Sequence, residues 1–254
     1  MESRNKVEIK EISKLFLNGD SFQVAIEDVS LEVRENEFLV LLGPGECGKS
    51  VLLNIIAGLM DATSGEVYVN GKLSRGINPE LGMVFQELGV MPWLTVRDNV
   101  AMPEKFRGVS RKQRYAHAQE FIDLVGLKGF ETYYPNQLSG GMKQRVGIAR
   151  AYASDCDILL MDEPFGKLDA QTRYSMQDEI LKIWNKNRKT VVFVTNNIEE
   201  AVYLGDRIVL FTGGPMSVRH IYDLSNLPRP RNYTDVEFLR VRSEINEHMD
   251  LVIK

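Results

Sequence analysis

Cysteine is scarce in this chain: Cys47 and Cys156 are the only two among 254 residues, and they stand without the spacing of metal ligands. Usage this sparse excludes a disulfide-stapled scaffold and suits a reducing compartment, leaving the thiols as small inert side chains. An excess of positive charge is missing too. The net charge of -4 argues against broad nucleic-acid binding, which shows as a basic face. Long apolar runs are also absent: residues 38–42 and 158–161 fall far short of the ~20 residues that span a bilayer. Any membrane role therefore has to come through partner chains. Residues 1–14 are charged and lack an apolar segment, so neither a signal peptide nor a transit peptide is expected. What the chain does have is an ordinary globular composition, 44% hydrophobic, so no long disorder is expected and the length suits one large domain.

Short β-rich runs alternate with helical patterns. Residues 38–42, 158–161, 190–195 and 207–211 are continuous apolar runs, the pattern of strands buried on both faces of a parallel sheet. Met176, Ile180, Ile183 and Trp184 form one helical stripe, and Tyr115, Ala118, Ile122 and Val125 another. Residues 29–33 and 66–69, the latter closed by Asn70-Gly71, show the alternation and turn chemistry of antiparallel strands. A smaller β lobe is therefore expected beside the main sheet. From about residue 93 to residue 134 no β alternation occurs, which predicts a helical insertion. Phe238, Val241, Ile245, Met249 and Val252 predict a last amphipathic helix, packed on its own core or on a partner.

Gly43-Pro44-Gly45-Glu46-Cys47-Gly48-Lys49-Ser50 fits the phosphate-loop pattern G-x-x-x-x-G-K-[ST], between a predicted buried strand and an apolar run that reads as a helix. Glycines let backbone N–H groups turn toward nucleotide phosphates, the helix N-terminus adds a positive dipole, and Lys49 supplies a point charge. Ser50 is placed to ligate Mg²⁺. Downstream, the strand at residues 158–161 runs on into two carboxylates. In that arrangement Asp162 holds hydrated Mg²⁺ and Glu163 polarises the attacking water. A buried strand explains the apolar run but not two acids at its end.

Between these two halves, Leu138-Ser139-Gly140-Gly141-Met142-Lys143-Gln144-Arg145 resembles the signature of the ABC transporter ATPases. The resemblance implies an α/β P-loop NTPase (RecA-like) core with an antiparallel β subdomain and an inserted α-helical subdomain. Residues 1–225 would form the nucleotide-binding domain, with the helical insertion at about 90–150, and residues 226–254 a C-terminal helical extension. The implied ligands are ATP and Mg²⁺. Phe16 would stack on adenine, while Gly43, Gly45, Cys47, Gly48, Lys49, Ser50 and Val51 surround the phosphates. Ser50, Gln86 and Asp162 would hold the metal, and Glu163, Asn196 and Gln86 would surround the reacting water. Ser139, Gly140 and Gly141 open a predicted helix and so offer a second anion site, which in the family closes on the nucleotide of the opposite subunit. Val84-Phe85-Gln86-Glu87 matches the family's Q-loop and Phe165-Gly166-Lys167-Leu168-Asp169 its D-loop.

Residues 91–100 and 227–231 resemble the importers of nitrate, sulfonates and taurine. The implied partners are integral membrane permease subunits, a second ATPase subunit and, indirectly, an extracytoplasmic solute-binding protein, with the chain peripheral on the cytoplasmic face of the membrane. No nucleic-acid partner is expected. Three departures from the family pattern stand out. Asn196 occupies the place of a histidine that contacts the γ-phosphate, Glu46 that of a glycine and Val51 that of a threonine. Asparagine still donates a hydrogen bond but cannot become cationic. Glu46 and Asn196 belong to the chain's own site, whereas the signature that serves the other site is intact. That asymmetry favours a paralogous ATPase partner over a second copy. Alternative readings are a non-hydrolysing regulatory subunit and a soluble ABC ATPase outside transport.

Overall fold

The computed structural model describes residues 5–19, 21–86, 89–166 and 168–253; Glu87 and Lys167 of the predicted loops lie outside them, as does the side chain of Val252. The chain divides into two units, Met1–Pro79 with Lys189–Lys254, and Glu80–Arg188. The first unit begins with β1 (Asn5–Asn18), β2 (Ser21–Arg34), β3 (Phe38–Leu42), α1 (Lys49–Ile56), β4 (Ser64–Val69) and β5 (Lys72–Leu73). The second unit comprises β6 (Leu81–Val84), α2 (Val96–Val100), α3 (Met102–Phe106), α4 (Arg111–Leu124), α5 (Gly140–Ala153), β7 (Ile158–Asp162) and α6 (Ala170–Lys186). The chain then returns to the first with β8 (Thr190–Thr195), α7 (Ile198–Leu204), β9 (Arg207–Phe211), β10 (Val218–Asp223) and α8 (Val236–Ile253).

In the first unit, β3 pairs in parallel with both β8 and β9, and every residue of these three strands is buried. The expected parallel sheet gains one antiparallel member, since β10 pairs antiparallel with β9. Its cause is chain length: residues 212–217 are too few for a crossover, and Thr212 ties the turn by donating its N–H to Ser217 O at 3.0 Å. A second, antiparallel sheet has the order β2-β1-β4-β5. Asn70 and Gly71 close its β4–β5 hairpin with φ values of 50° and 74°, the left-handed pair that the Asn-Gly signal predicts. Buried Ile26, Val29, Leu31 and Val33 mark the core side of β2, whose length exceeds the predicted residues 29–33. α8 lays Phe238, Val241, Ile245 and Met249 inward and packs on α7, so the last helix belongs to its own unit.

In the second unit, β6 and β7 pair in parallel. Helices α2, α4 and α5 pack on one another, with Ala118, Ile122 and Val125 of the predicted stripe buried and Tyr115 half-buried. Met176, Ile180, Ile183 and Trp184 form the buried side of α6 as expected.

Candidate functional site

The phosphate loop leaves the C-terminal end of β3 and enters α1. Gly48, at φ 117°, is required there: a Cβ would stand 3.0 Å from Ala25 O and 3.4 Å from Met216 Cβ. At Gly43 a Cβ would meet Cys47 Sγ and Phe211 Cβ, whereas Gly45 faces open space. Lys49 is 3% exposed, and its ammonium donates to Gly43 O at 3.0 Å and Pro44 O at 2.5 Å, with Cys47 Sγ at 3.6 Å. All of these partners are neutral. A buried ammonium held by neutral acceptors is a site for an anion. The N-terminus of α1 points the same way. Thr95, Ser110, Ser139, Asp169 and Asn197 cap α2, α4, α5, α6 and α7 with their side chains, but Gly48 brings no side-chain cap to α1. Like α3, α1 starts without a side-chain cap, and its positive dipole end adds to the charge of Lys49 at the end of the glycine turn.

Ser50 and Val51 follow in the first turn, half-buried. Glu46 is exposed and sits at φ 59°, a left-handed conformation that explains why glycine is usual there. Phe16 lies near the end of β1, half-buried rather than in the core, with Lys14 Nζ 5.2 Å from its ring centroid.

Leu42 and Thr195 are partners in the β3–β8 register, so Gly43 and Asn196 leave the same sheet edge side by side. Asn196 is exposed, but its neighbours are fixed. Thr195 Oγ1 donates to Glu200 Oε2 at 2.6 Å and accepts the N–H of Asn197 at 3.0 Å, while Asn197 Oδ1 accepts the N–H of Glu200 at 3.0 Å. Glu200 is 4% exposed. This frame was not legible in the sequence, although a threonine two residues before a helix cap was a signal for it.

The second unit repeats the arrangement. Val84 and Met161 are partners, so Gln86 and Glu163 each stand two residues beyond the same rung of β6 and β7. Asp162, the last residue of β7, is 8% exposed. Glu163 is half-buried at φ 38°, and its carbonyl accepts the N–H of Gly166 at 3.1 Å, which aims its side chain by a tight turn. Gln86 is exposed.

Ser139 caps α5, its oxygen accepting the N–H of Met142 at 3.2 Å. Gly140 is open, whereas a Cβ on Gly141 would lie 3.1 Å from Thr172 Cγ2. Arg145 pairs with Glu179 at 2.8 Å and so ties α5 to α6. Burial pushes the Glu179 carboxyl up, and Arg145 opposes it. Asp169 caps α6, and hydrogen bonds from the Thr172 N–H and hydroxyl hold its carboxyl below the usual range. A cleft of about 280 Å³ in this unit is lined by Met91, Trp93, Leu94, Met102 and Phe106, with Lys105 and Arg114 beside them.

A family model described as ABC transporter matches residues 26–166. An uncharacterized ABC transporter ATP-binding protein of Methanocaldococcus jannaschii is 48% identical over 251 residues, 98% of this chain and 93% of that one. The aliphatic sulfonates import ATP-binding protein SsuB of Bacillus anthracis is 38% identical over 246 residues, 96% of each chain. Among solved structures, a dimeric ATP-binding cassette in a post-hydrolysis state bound to ADP and Pi is similar with a TM-score of 0.76 at 34% identity, covering 86% of this chain and 98% of that one. The fold is accordingly that of a P-loop NTPase with an antiparallel β subdomain and a helical subdomain. The chain belongs to the ABC transporter family, as an ATP-binding subunit whose ATPase activity is coupled to transport across a membrane.

Proposed function

We propose that this subunit powers solute import, binding Mg-ATP on its own phosphate loop and lending its signature helix to a second ATPase subunit. The observation that carries the nucleotide site is Lys49, an ammonium 3% exposed with neutral partners, beside a helix start that no side chain caps. In this reading the N–H groups from Gly43, Gly45, Cys47, Gly48 and Val51 wrap the phosphates, and Phe16 stacks on adenine. Ser50, Gln86 and Asp162 offer hard oxygen donors of the kind Mg²⁺ takes and would hold the ion, which would supply positive charge against that of the phosphates. Glu163 orients the water and accepts its proton, while Asn196 donates to the γ-phosphate.

Ser139 serves the second site. Its oxygen already accepts the Met142 N–H, so the hydroxyl proton is left to donate to a phosphate, next to the helix start at Gly140 and Gly141. A paralogue is favoured as the partner because Glu46 and Asn196 alter the chain's own site and leave the signature intact. The exposure of Glu46 moderates its effect, since solvent screens a charge there. Asn196 supports a slow own site, and the retained Glu163 speaks against a subunit that does not hydrolyse.

The apolar cleft with exposed Trp93 and Phe106 is the surface that this reading gives to the membrane permease, which holds the chain on the cytoplasmic face. A solute-binding protein would act through that permease. Similarity to the aliphatic sulfonates import subunit supports a small organic anion as the solute. Residues 1–225 form the nucleotide-binding domain in this scheme, and residues 226–254 extend it. The test is ATP turnover by the reconstituted transporter with Glu163→Gln in this chain, beside the matching change in the copurifying ATPase. Turnover that survives the first change and not the second supports a slow own site; loss on Glu163→Gln alone makes this chain's site the engine.

A further inference from the structure

The stretch Arg229-Pro230-Arg231 closes the end of α7. Arg231 is 6% exposed, and its Nη1 donates to the carbonyls of Val202 and Gly205 while Nη2 donates to those of Leu224 and Leu227. The group sits largely out of water, and that burial pulls its guanidinium down to about 10. Arg229 donates to Leu204 O and, at 2.6 Å, to Asp206 Oδ1. The other oxygen of Asp206 accepts the N–H of Phe38 at 2.9 Å, at the head of the strand that leads to the phosphate loop. Tyr233 stacks on Tyr203 with ring centroids 4.8 Å apart and planes 4° apart, and Arg242 pairs with Glu199 at 3.2 Å.

These contacts converge on a helix of only seven residues. A helix this short does not hold itself together, and its last carbonyls have no partners within it. The Gly205 N–H donates to the carbonyl of Ala201, and the two arginines supply partners for those of Val202, Leu204 and the capping Gly205. At its other end α7 begins with the Asn197 cap, and Asn196 stands immediately before the cap. Any tilt of α7 is therefore a displacement of Asn196.

We infer that the Arg229 and Arg231 clamp is a positioning device for Asn196, through which the C-terminal extension sets the chain's ATP turnover. The inference rests on the reading of Asn196 as a γ-phosphate contact. Neither arginine touches nucleotide in this scheme, and both act through α7. Lysine cannot replace Arg231, because one ammonium cannot direct donors along two separated lines as a planar fork does.

The test uses the assembled transporter, with any second ATPase silenced at its own counterpart of Glu163 so that the rate reports this chain. A 1 Å misplacement of a phosphate contact costs up to ~10²-fold, so Arg231→Lys is expected to lower kcat about tenfold while KM for ATP moves less than about twofold. In an Asn196→Ala background the same change is expected to have no further effect. Where Arg231→Lys fails to fold, Arg229→Lys decides, because it keeps a positive charge beside Asp206 while losing the planar fork that also reaches Leu204; its expected loss is about threefold, again absent with Asn196→Ala. An equal fold-loss in both backgrounds, or no loss in the first, overturns the positioning role. If Asn196→Ala alone leaves kcat unchanged, the reading of Asn196 fails and the inference falls with it.

Discussion

Thr195 donates its hydroxyl to Glu200 across 2.6 Å, joining the end of β8 to the first turn of α7 beneath the exposed Asn196. The same oxygen accepts the N–H of Asn197, so one hydroxyl holds both sides of the turn. Thr195→Val keeps the shape and removes both bonds. A buried carboxyl and a backbone donor then lose a partner, and the expected cost is ~2 kcal/mol. Urea unfolding should show it as a lower midpoint with an unchanged slope.

Glu46 should respond in the opposite direction. It is an exposed residue held at φ 59°, where a side chain costs ~1 kcal/mol that glycine avoids, although glycine returns part of this as freedom in the unfolded chain. Glu46→Gly should therefore be neutral to slightly stabilising. It also removes a negative charge from the phosphate loop, so ATP should bind several-fold tighter at low salt. Nucleotide displacement repeated at ~0.5 M salt should shrink that gain, because the Debye length is then only a few ångströms. A gain that salt leaves untouched would point to loop geometry instead of charge.

Much of this site was written in the sequence as chemistry and little of it as conformation. Lys49, Ser50, Asp162 and Glu163 are recognisable because phosphate and metal demand those residue types after buried strands, and continuous apolar runs identify β3, β7, β8 and β9. β1 and most of β2 escaped, since their alternation is broken by irregular register and by left-handed residues at Glu11 and Asp28. β10 escaped because its burial is slight, with Tyr222 its only buried residue. Arg229 and Arg231 were visible only as a mark of relationship. Apart from the Arg229 bond to the Asp206 carboxylate, the bonds that hold α7 go to main-chain carbonyls of Val202, Leu204 and Gly205, and a carbonyl leaves no trace in residue identity.

Asn196→His tests the altered position directly. Imidazole reaches further than a carboxamide and titrates near ~6.5, so its gain should carry a pH dependence that the wild type lacks. Turnover by the assembled transporter is expected to rise, and the pH–rate profile to acquire a new limb within about one unit of that value. An increase without the new limb would mean that reach alone was missing.

Acid should loosen the start of α6. The Thr172 N–H and hydroxyl favour the ionised form of Asp169, so the folded-state pKa lies below the unfolded one. A depressed carboxylate stabilises the fold above its ordinary value of ~3.9, and the contribution fades as pH falls through the folded-state value. Asp169→Ala should therefore unfold at a lower denaturant midpoint than wild type near neutrality. The two curves should converge on acidification. A gap that persisted in acid would assign the effect to the shape of the cap and not to its charge.

Trp93 is 70% exposed and Phe106 81% exposed, both on the helical unit beside the 280 Å³ cleft. An exposed side chain contributes little to its own fold, so Trp93→Glu should change the stability of the isolated chain by no more than ~0.5 kcal/mol. Binding of a fluorescent ATP analogue should be unaltered, because the phosphate loop belongs to the other unit. If the cleft receives the permease, an aromatic anchor is where binding energy concentrates, and a carboxylate there leaves an unpaired charge at the interface. Copurification with the permease should then be lost at moderate salt, with Trp93→Phe largely retaining it. Equal recovery of wild type and Trp93→Glu complexes would exclude this face as the docking surface and leave the ATP site untouched by the result.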